Sequence, residues 1–164
     1  MPHLQQFCVW ISSTPFSLAI RKSVWAFPII ESIHVLGIVV LVGSVALLDL
    51  RLLGFIMKNE PVSRVSRAVL RWTWSGFAVM FTTGLLLSIA EAAENYANIA
   101  FRAKLVLLIL VGLNPLIFHL TIFRSVNSWD VAPVAPWRAR TAAWSSLFLW
   151  SGIIVAGRMI AYIH

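Results

Sequence analysis

Two histidines stand inside apolar stretches of this chain. His34 lies in Phe27-Pro28-Ile29-Ile30-Glu31-Ser32-Ile33-His34-Val35-Leu36-Gly37, and His119 lies in Asn114-Pro115-Leu116-Ile117-Phe118-His119-Leu120. An ionisable group at such depth in a membrane helix is expensive, which makes it a functional candidate by default. Glu31 precedes His34 by three residues, a spacing at which side chains of one helix meet. A carboxylate bonded to one imidazole nitrogen would fix the tautomer and leave the other nitrogen for a metal or a proton. The plainer alternative is a Glu–His hydrogen bond that only organises a polar interior. His119 likewise is either a ligand or an imidazole bonded to a neighbouring helix near an interface. Arg158 and Lys104 are cations that could hold an anionic group, and Arg158 could instead pair with Glu31. Snorkelling to the membrane surface is their plainer reading. His3 and His164 stand near the two ends of the chain and are expected to face solvent.

The residue types available narrow the choice of cofactor. Cys8 is the one cysteine, so no intramolecular disulfide and no Cys-based metal or redox motif can form. Two buried histidines are too few for a closed zinc site. Met57, Met80 and Met159 form no cluster that would suit copper. Haem b asks for less: one or two axial side chains, an apolar slot and a cation for its propionates. His34 and His119 are then the candidate iron ligands, Glu31 the orienting carboxylate, and Arg158 and Lys104 the propionate partners. His34 falls early in its apolar stretch and His119 late in another that runs in the same direction. Their offset is about ten residues, roughly 15 Å along a helix, so one upright haem held by both is awkward.

The elements that must position these residues are apolar helices. The 164 residues are 60% hydrophobic and 12% charged, whereas a soluble domain carries about a quarter charged residues. Uncharged stretches run from Ser32 to Leu48, Trp72 to Ala90, Leu105 to Phe123 and Thr141 to Gly157. Each approaches the ~20 residues that cross the hydrocarbon core. The expected fold is all-α: a polytopic membrane protein, one domain over 1–164, with four transmembrane helices at about 28–54, 66–93, 97–124 and 137–163. Short connections favour an antiparallel bundle. Asn114-Pro115 should kink the third span. Gly37, Gly43, Gly76, Gly84, Gly112, Gly152 and Gly157 offer close approach to a helix or a flat ligand.

Residues 1–26 read as an interfacial segment with no secretory leader. Thr14-Pro15 starts a helix whose apolar stripe is Phe16, Ile20, Val24 and Phe27, suited to lying in the interface. On the first span, Glu31, His34, Ile38, Leu41, Ser44, Leu48 and Arg51 share one face and should point into the bundle. The net charge of +7 gathers at helix ends and is not a nucleic-acid signal. One side, B, holds Arg51, Lys58, Arg64, Arg67, Arg71, Arg124, Arg138 and Arg140. The other, A, holds Arg21, Lys22, Arg102, Lys104 and Arg158. The excess on B puts B in the cytoplasm and both termini outside, in a bacterial inner membrane. The expected partners are the lipid bilayer and other protein, as a homo-oligomer or a subunit of a larger membrane complex.

The run Pro28 to Gly37, continued by Gly43 and Asp49-Leu50-Arg51-Leu52-Leu53-Gly54, and then Lys104-Leu105 and Asn114 to His119, resembles an uncharacterised family of small bacterial four-helix membrane proteins. That family carries no function to transfer. A looser similarity is to HemJ-type membrane protoporphyrinogen oxidases and CopD-like copper-resistance proteins, which place a histidine in the first span. HemJ-type proteins also have a Lys-Leu run in a later one. The resemblance implies haem b with His34 as an axial ligand and does not extend to oxidase activity. The expectation is therefore a b-type haem-binding integral membrane protein, an electron-transfer or redox subunit. The alternatives are a proton-coupled transporter and a structural or assembly subunit.

Overall fold

The structure is a computed structural model that describes residues 2–162, with side chains from residue 5 onward. The His3 side chain and His164 lie outside the described residues. Every regular element among those described is helical. In chain order they are α1 (Pro2–Ser12), α2 (Pro15–Lys22), α3 (Ala26–Leu52), α4 (Val62–Ala90), the short α5 (Ala92–Ala97), α6 (Ile99–Ile117) and α7 (Trp137–Met159). Three continuous helical runs are long and apolar enough to cross a membrane: Ala26–Leu52, Val62–Ala90 and Ile99–Ser128. Sequence reading expects four. The fourth, α7, is diluted by Arg138, Arg140, Ser145, Ser146 and Ser151, and among the described residues it falls below that mark.

The outer surface is apolar, the reverse of a soluble bundle. Leu36, Val39, Ile109, Phe148 and Val155 are all more than 60% exposed, a surface suited to lipid chains and not to water. The helices meet through two buried apolar clusters, one including Leu52, Val62 and Phe118 and the other Leu41, Val111, Trp150 and Ile153, and through small and hydroxyl-bearing residues. Ser44 reaches Thr73 at 2.9 Å, Leu41 lies against Gly76, and Gly37 lies against Val79 and Met80. Each step forward along α3 thus meets a step back along α4. A Cβ on Gly76 would fall 2.6 Å from the Leu41 nitrogen, so this close approach requires glycine. Without a hydrophobic drive between helices in lipid, such packing and interhelical hydrogen bonds hold the pair together. The α6–α7 pair follows the same pattern. Lys104 lies by Gly157, Leu107 by Gly152, and the Asn114 amide donates to the Ala142 carbonyl at 2.9 Å.

The predicted stripe on α3 is largely buried: His34, Leu41, Ser44 and Arg51 are inside, and Ile38 and Leu48 are half-buried. Glu31 is exposed, a correction to the expectation that it faces inward. It lies one turn nearer the helix start, where fewer elements cover α3. Thr14 caps α2 as its sequence foretells, its hydroxyl accepting from the Ser17 N–H at 3.3 Å. The stripe expected on that helix is corrected too. Phe16 and Val24 face outward, and Ser17 and Ile20 face the protein. Ser17 is turned inward because its hydroxyl bonds the Ile89 and Ala90 carbonyls at the end of α4, both at 3.2 Å. Pro115 stays inside α6, and the departure from α geometry follows it, as a π turn (Phe118–Ile122) and a 3-10 turn (Phe123–Ser128).

Candidate functional site

End A holds α2, the starts of α3 and α6, and the ends of α4 and α7. His34 sits there, eight residues into α3, about 12 Å along its axis. It is buried, 9% exposed. Its Nδ1 lies 2.8 Å from Thr83 Oγ1 on α4, and the same Thr83 oxygen lies 2.6 Å from the Val79 carbonyl. Gly84 completes the seat: a Cβ there would stand 3.1 Å from His34 Cε1. A side chain here would crowd the imidazole.

Lys104 enters from α6. It is half-buried, and its stem runs along Gly157 of α7, with Nζ 3.6 Å from where a Cβ would be. Its charge is felt at His34. No hydrogen bond or ion pair joins the Lys104 ammonium to another described residue. Four helices thus converge on an imidazole and an ammonium. Two of the glycines read as room for a flat ligand, Gly84 and Gly157, instead accommodate these two side chains.

The other candidates lie apart. Glu31 does not reach His34, whose ring bonds Thr83 instead. Glu31 belongs to a carboxylate group at the rim of end A with Glu91 and Glu94. Burial, and then the neighbouring Glu94 and Glu31 charges, hold the Glu91 carboxyl above its ordinary range, while Arg21 pulls it the other way. Arg21 also lies 3.6 Å from Glu94. Arg158 is exposed and stacks over the Tyr162 ring at 5.7 Å. His119 is at the opposite end, next to Phe118, which packs with Leu52 and Val62. It is exposed, its Nδ1 is 3.0 Å from the Pro115 carbonyl, and its ring lies 5.0 Å from that of Phe123. The two histidines are not brought together. Among the described residues no group of three or more His, Cys, Asp or Glu side chains could hold a metal ion.

End B is organised around Arg51, which sequence reasoning placed both on the inward stripe of α3 and among the side-B charges. Arg51 is fully buried. Its Nε donates to the Glu60 carbonyl at 2.8 Å and its Nη2 to the Ala132 carbonyl at 3.0 Å, tying the α3–α4 loop to the loop before α7. Asp130 of that second loop accepts from the Ser63 N–H and hydroxyl, both at 2.7 Å, and so caps the start of α4. The Ser63 N–H, with help from Arg51 and Arg67, holds the Asp130 carboxyl below its ordinary range. Gly54, at φ +75°, turns the chain beneath Pro133 and Val134. Asp49, buried beside Ser146 of α7, belongs to the same end.

Fold and site together define an all-helical protein with membrane-length apolar helices and, near one end, a buried imidazole with a half-buried ammonium at the same end. Residues 16–163 match a family of unknown function (DUF6644), and the chain belongs to that family. No curated protein and no solved structure matches it.

Proposed function

We propose that this chain is a four-span antiparallel membrane bundle that holds haem b at His34 and serves as an electron-transfer subunit. The observation that carries the reading is a buried imidazole bonded to Thr83 through Nδ1, with a half-buried ammonium at the same end that has no acceptor among the described residues. These are two groups that can serve a haem: a nitrogen for iron and a cation for a propionate. His34 would bind through Nε2, and Lys104 would meet the anionic edge. Haem b supplies one-electron redox chemistry when bound. The chain's own contribution is to orient the imidazole and supply the charge. His119 takes no part in that site, and Arg158 stands at its rim.

The fourth span is supported by packing. α7 has 23 residues, about 35 Å of helix against a hydrocarbon core of about 30 Å. It lies along α6 from Lys104 to Asn114, so it shares the depth of α6 in the bilayer. The exposed cations support the orientation. Lys58, Arg64, Arg67, Arg71, Arg124, Arg138 and Arg140 lie on side B, against Arg21, Lys22, Arg102 and Arg158 on side A. Side B is then cytoplasmic, in a bacterial inner membrane, with partners in a homo-oligomer or a larger complex. A pyridine haemochrome assay on purified wild type, His34→Ala and His119→Ala tests the haem. Haem is retained in wild type and His119→Ala and lost in His34→Ala; a wild-type protein without haem after expression in haem-replete cells overturns the reading. The half-buried Glu91 at the same end favours proton-coupled transport as the second reading. It predicts a flux abolished by His34→Ala in protein that carries no chromophore.

A further inference from the structure

The geometry points to Thr83 as the positioning residue that locks His34 in the Nδ1–H tautomer and leaves Nε2 as a bare electron-pair donor. The Thr83 hydroxyl has one proton. Its oxygen lies 2.6 Å from the Val79 carbonyl, and a carbonyl can only accept, so the hydroxyl proton points there. The same oxygen lies 2.8 Å from His34 Nδ1. With its proton already engaged, the oxygen can only accept from the ring, so Nδ1 carries the hydrogen. A neutral imidazole has one N–H, and Nε2 is left with its lone pair.

Gly84 fixes the rotation of the ring. Cε1 and Nδ1 stand 3.1 and 3.7 Å from the position of its absent Cβ. That edge faces α4, and Nε2 lies beyond it. A hydroxyl relay to a helix carbonyl thus takes the place that sequence spacing offered to Glu31. It deepens the haem reading and rests on it only for the consequence. A ligating histidine that donates its other N–H to a fixed acceptor is oriented and made more basic, and losing that partner weakens binding.

The tautomer is read by nitrogen NMR of ring-labelled histidine in detergent-solubilised full-length protein without haem, at a pH where the imidazole is neutral. The His34 resonances are assigned by their absence from His34→Gln. The expected result is a protonated Nδ1 and an unprotonated Nε2 in wild type and Thr83→Ser, and a mixture of tautomers in Thr83→Val. Haemin titration then reads a loss of about 10- to 100-fold in affinity for Thr83→Val, with recovery in Thr83→Ser. A protonated Nε2 in wild type, or an unchanged tautomer in Thr83→Val, overturns the assignment whatever the haem result. The expected tautomers in a protein that binds no haemin support Thr83's role and overturn the haem reading alone.

Discussion

Arg51 and Lys104 are the two basic side chains of this chain that are not exposed, and they lie at opposite ends of the molecule. At end B, Arg51 holds two loops through two backbone carbonyls, with the Asp130 carboxylate near enough to bear on its charge. At end A, Lys104 lies along a glycine beside a buried imidazole and has no acceptor among the described residues. The carboxyls at the two ends differ in the same sense. Asp130 is held ionised by donors, and Glu91 resists ionising because burial and like charges surround it. Arg51 joins two loops of this chain through Nε and Nη2, while its buried Nη1 has no partner among the described residues. A buried cation without a partner costs stability. That contrast makes end B the structural end and, under the haem reading proposed above, end A the binding end.

The largest effect should come from breaking end B. Arg51→Met leaves buried carbonyls unpaired and should cost about 3–5 kcal/mol, read as a lower midpoint in thermal or denaturant unfolding in detergent. Arg51→Lys should recover little of it, because an ammonium cannot match the two-carbonyl fork. The sharpest test of the contrast is Lys104→Met. It should leave stability unchanged or raised while lowering haem retention in the haemochrome assay. A loss of stability equal to that of Arg51→Met would remove the distinction between the two ends.

Smaller effects separate the carboxyls by sign. Asp130 has its folded pKa lowered, so its contribution is present above the ordinary carboxyl range and is lost as pH falls through the lowered value. Asp130→Asn should cost about 0.5–2 kcal/mol at neutral pH, the size of a helix cap. The mutant and wild-type unfolding curves should converge in acid. Glu91 has its folded pKa raised, so its burial is tolerated below the ordinary range and opposes folding as pH rises towards the raised value. Glu91→Gln should give the smallest change, a gain under ~1 kcal/mol at neutral pH that disappears in acid. Unfolding midpoints of both variants measured across the same pH series check the opposite signs; equal signs would break the pairing of the ends.

Much of the fold was legible along the chain because it depends on local quantities. Apolar run length located three membrane-length helices to within a few residues, and Thr14-Pro15 announced the start of α2. The same local signals misplaced Glu31, since a helical stripe says which residues share a face but not how far along it the neighbours extend. The stripe placed Arg51 inside, but its two carbonyl partners belong to loops, and the Ala132 partner lies 81 residues away.

By itself, the sequence determined that this is an all-helical protein with an apolar exterior, and that His34 is its prime candidate for chemistry. Both follow from the cost of placing backbone and charge out of water, a cost that each segment meets alone. Only the tertiary structure decided what His34 bonds to. Thr83 is 49 residues away, and Gly84, Lys104 and Gly157 come from three other helices. Side-chain partners across helices depend on register and rotation, which the close glycine contacts of α3 with α4 fix and which no spacing within a single helix encodes.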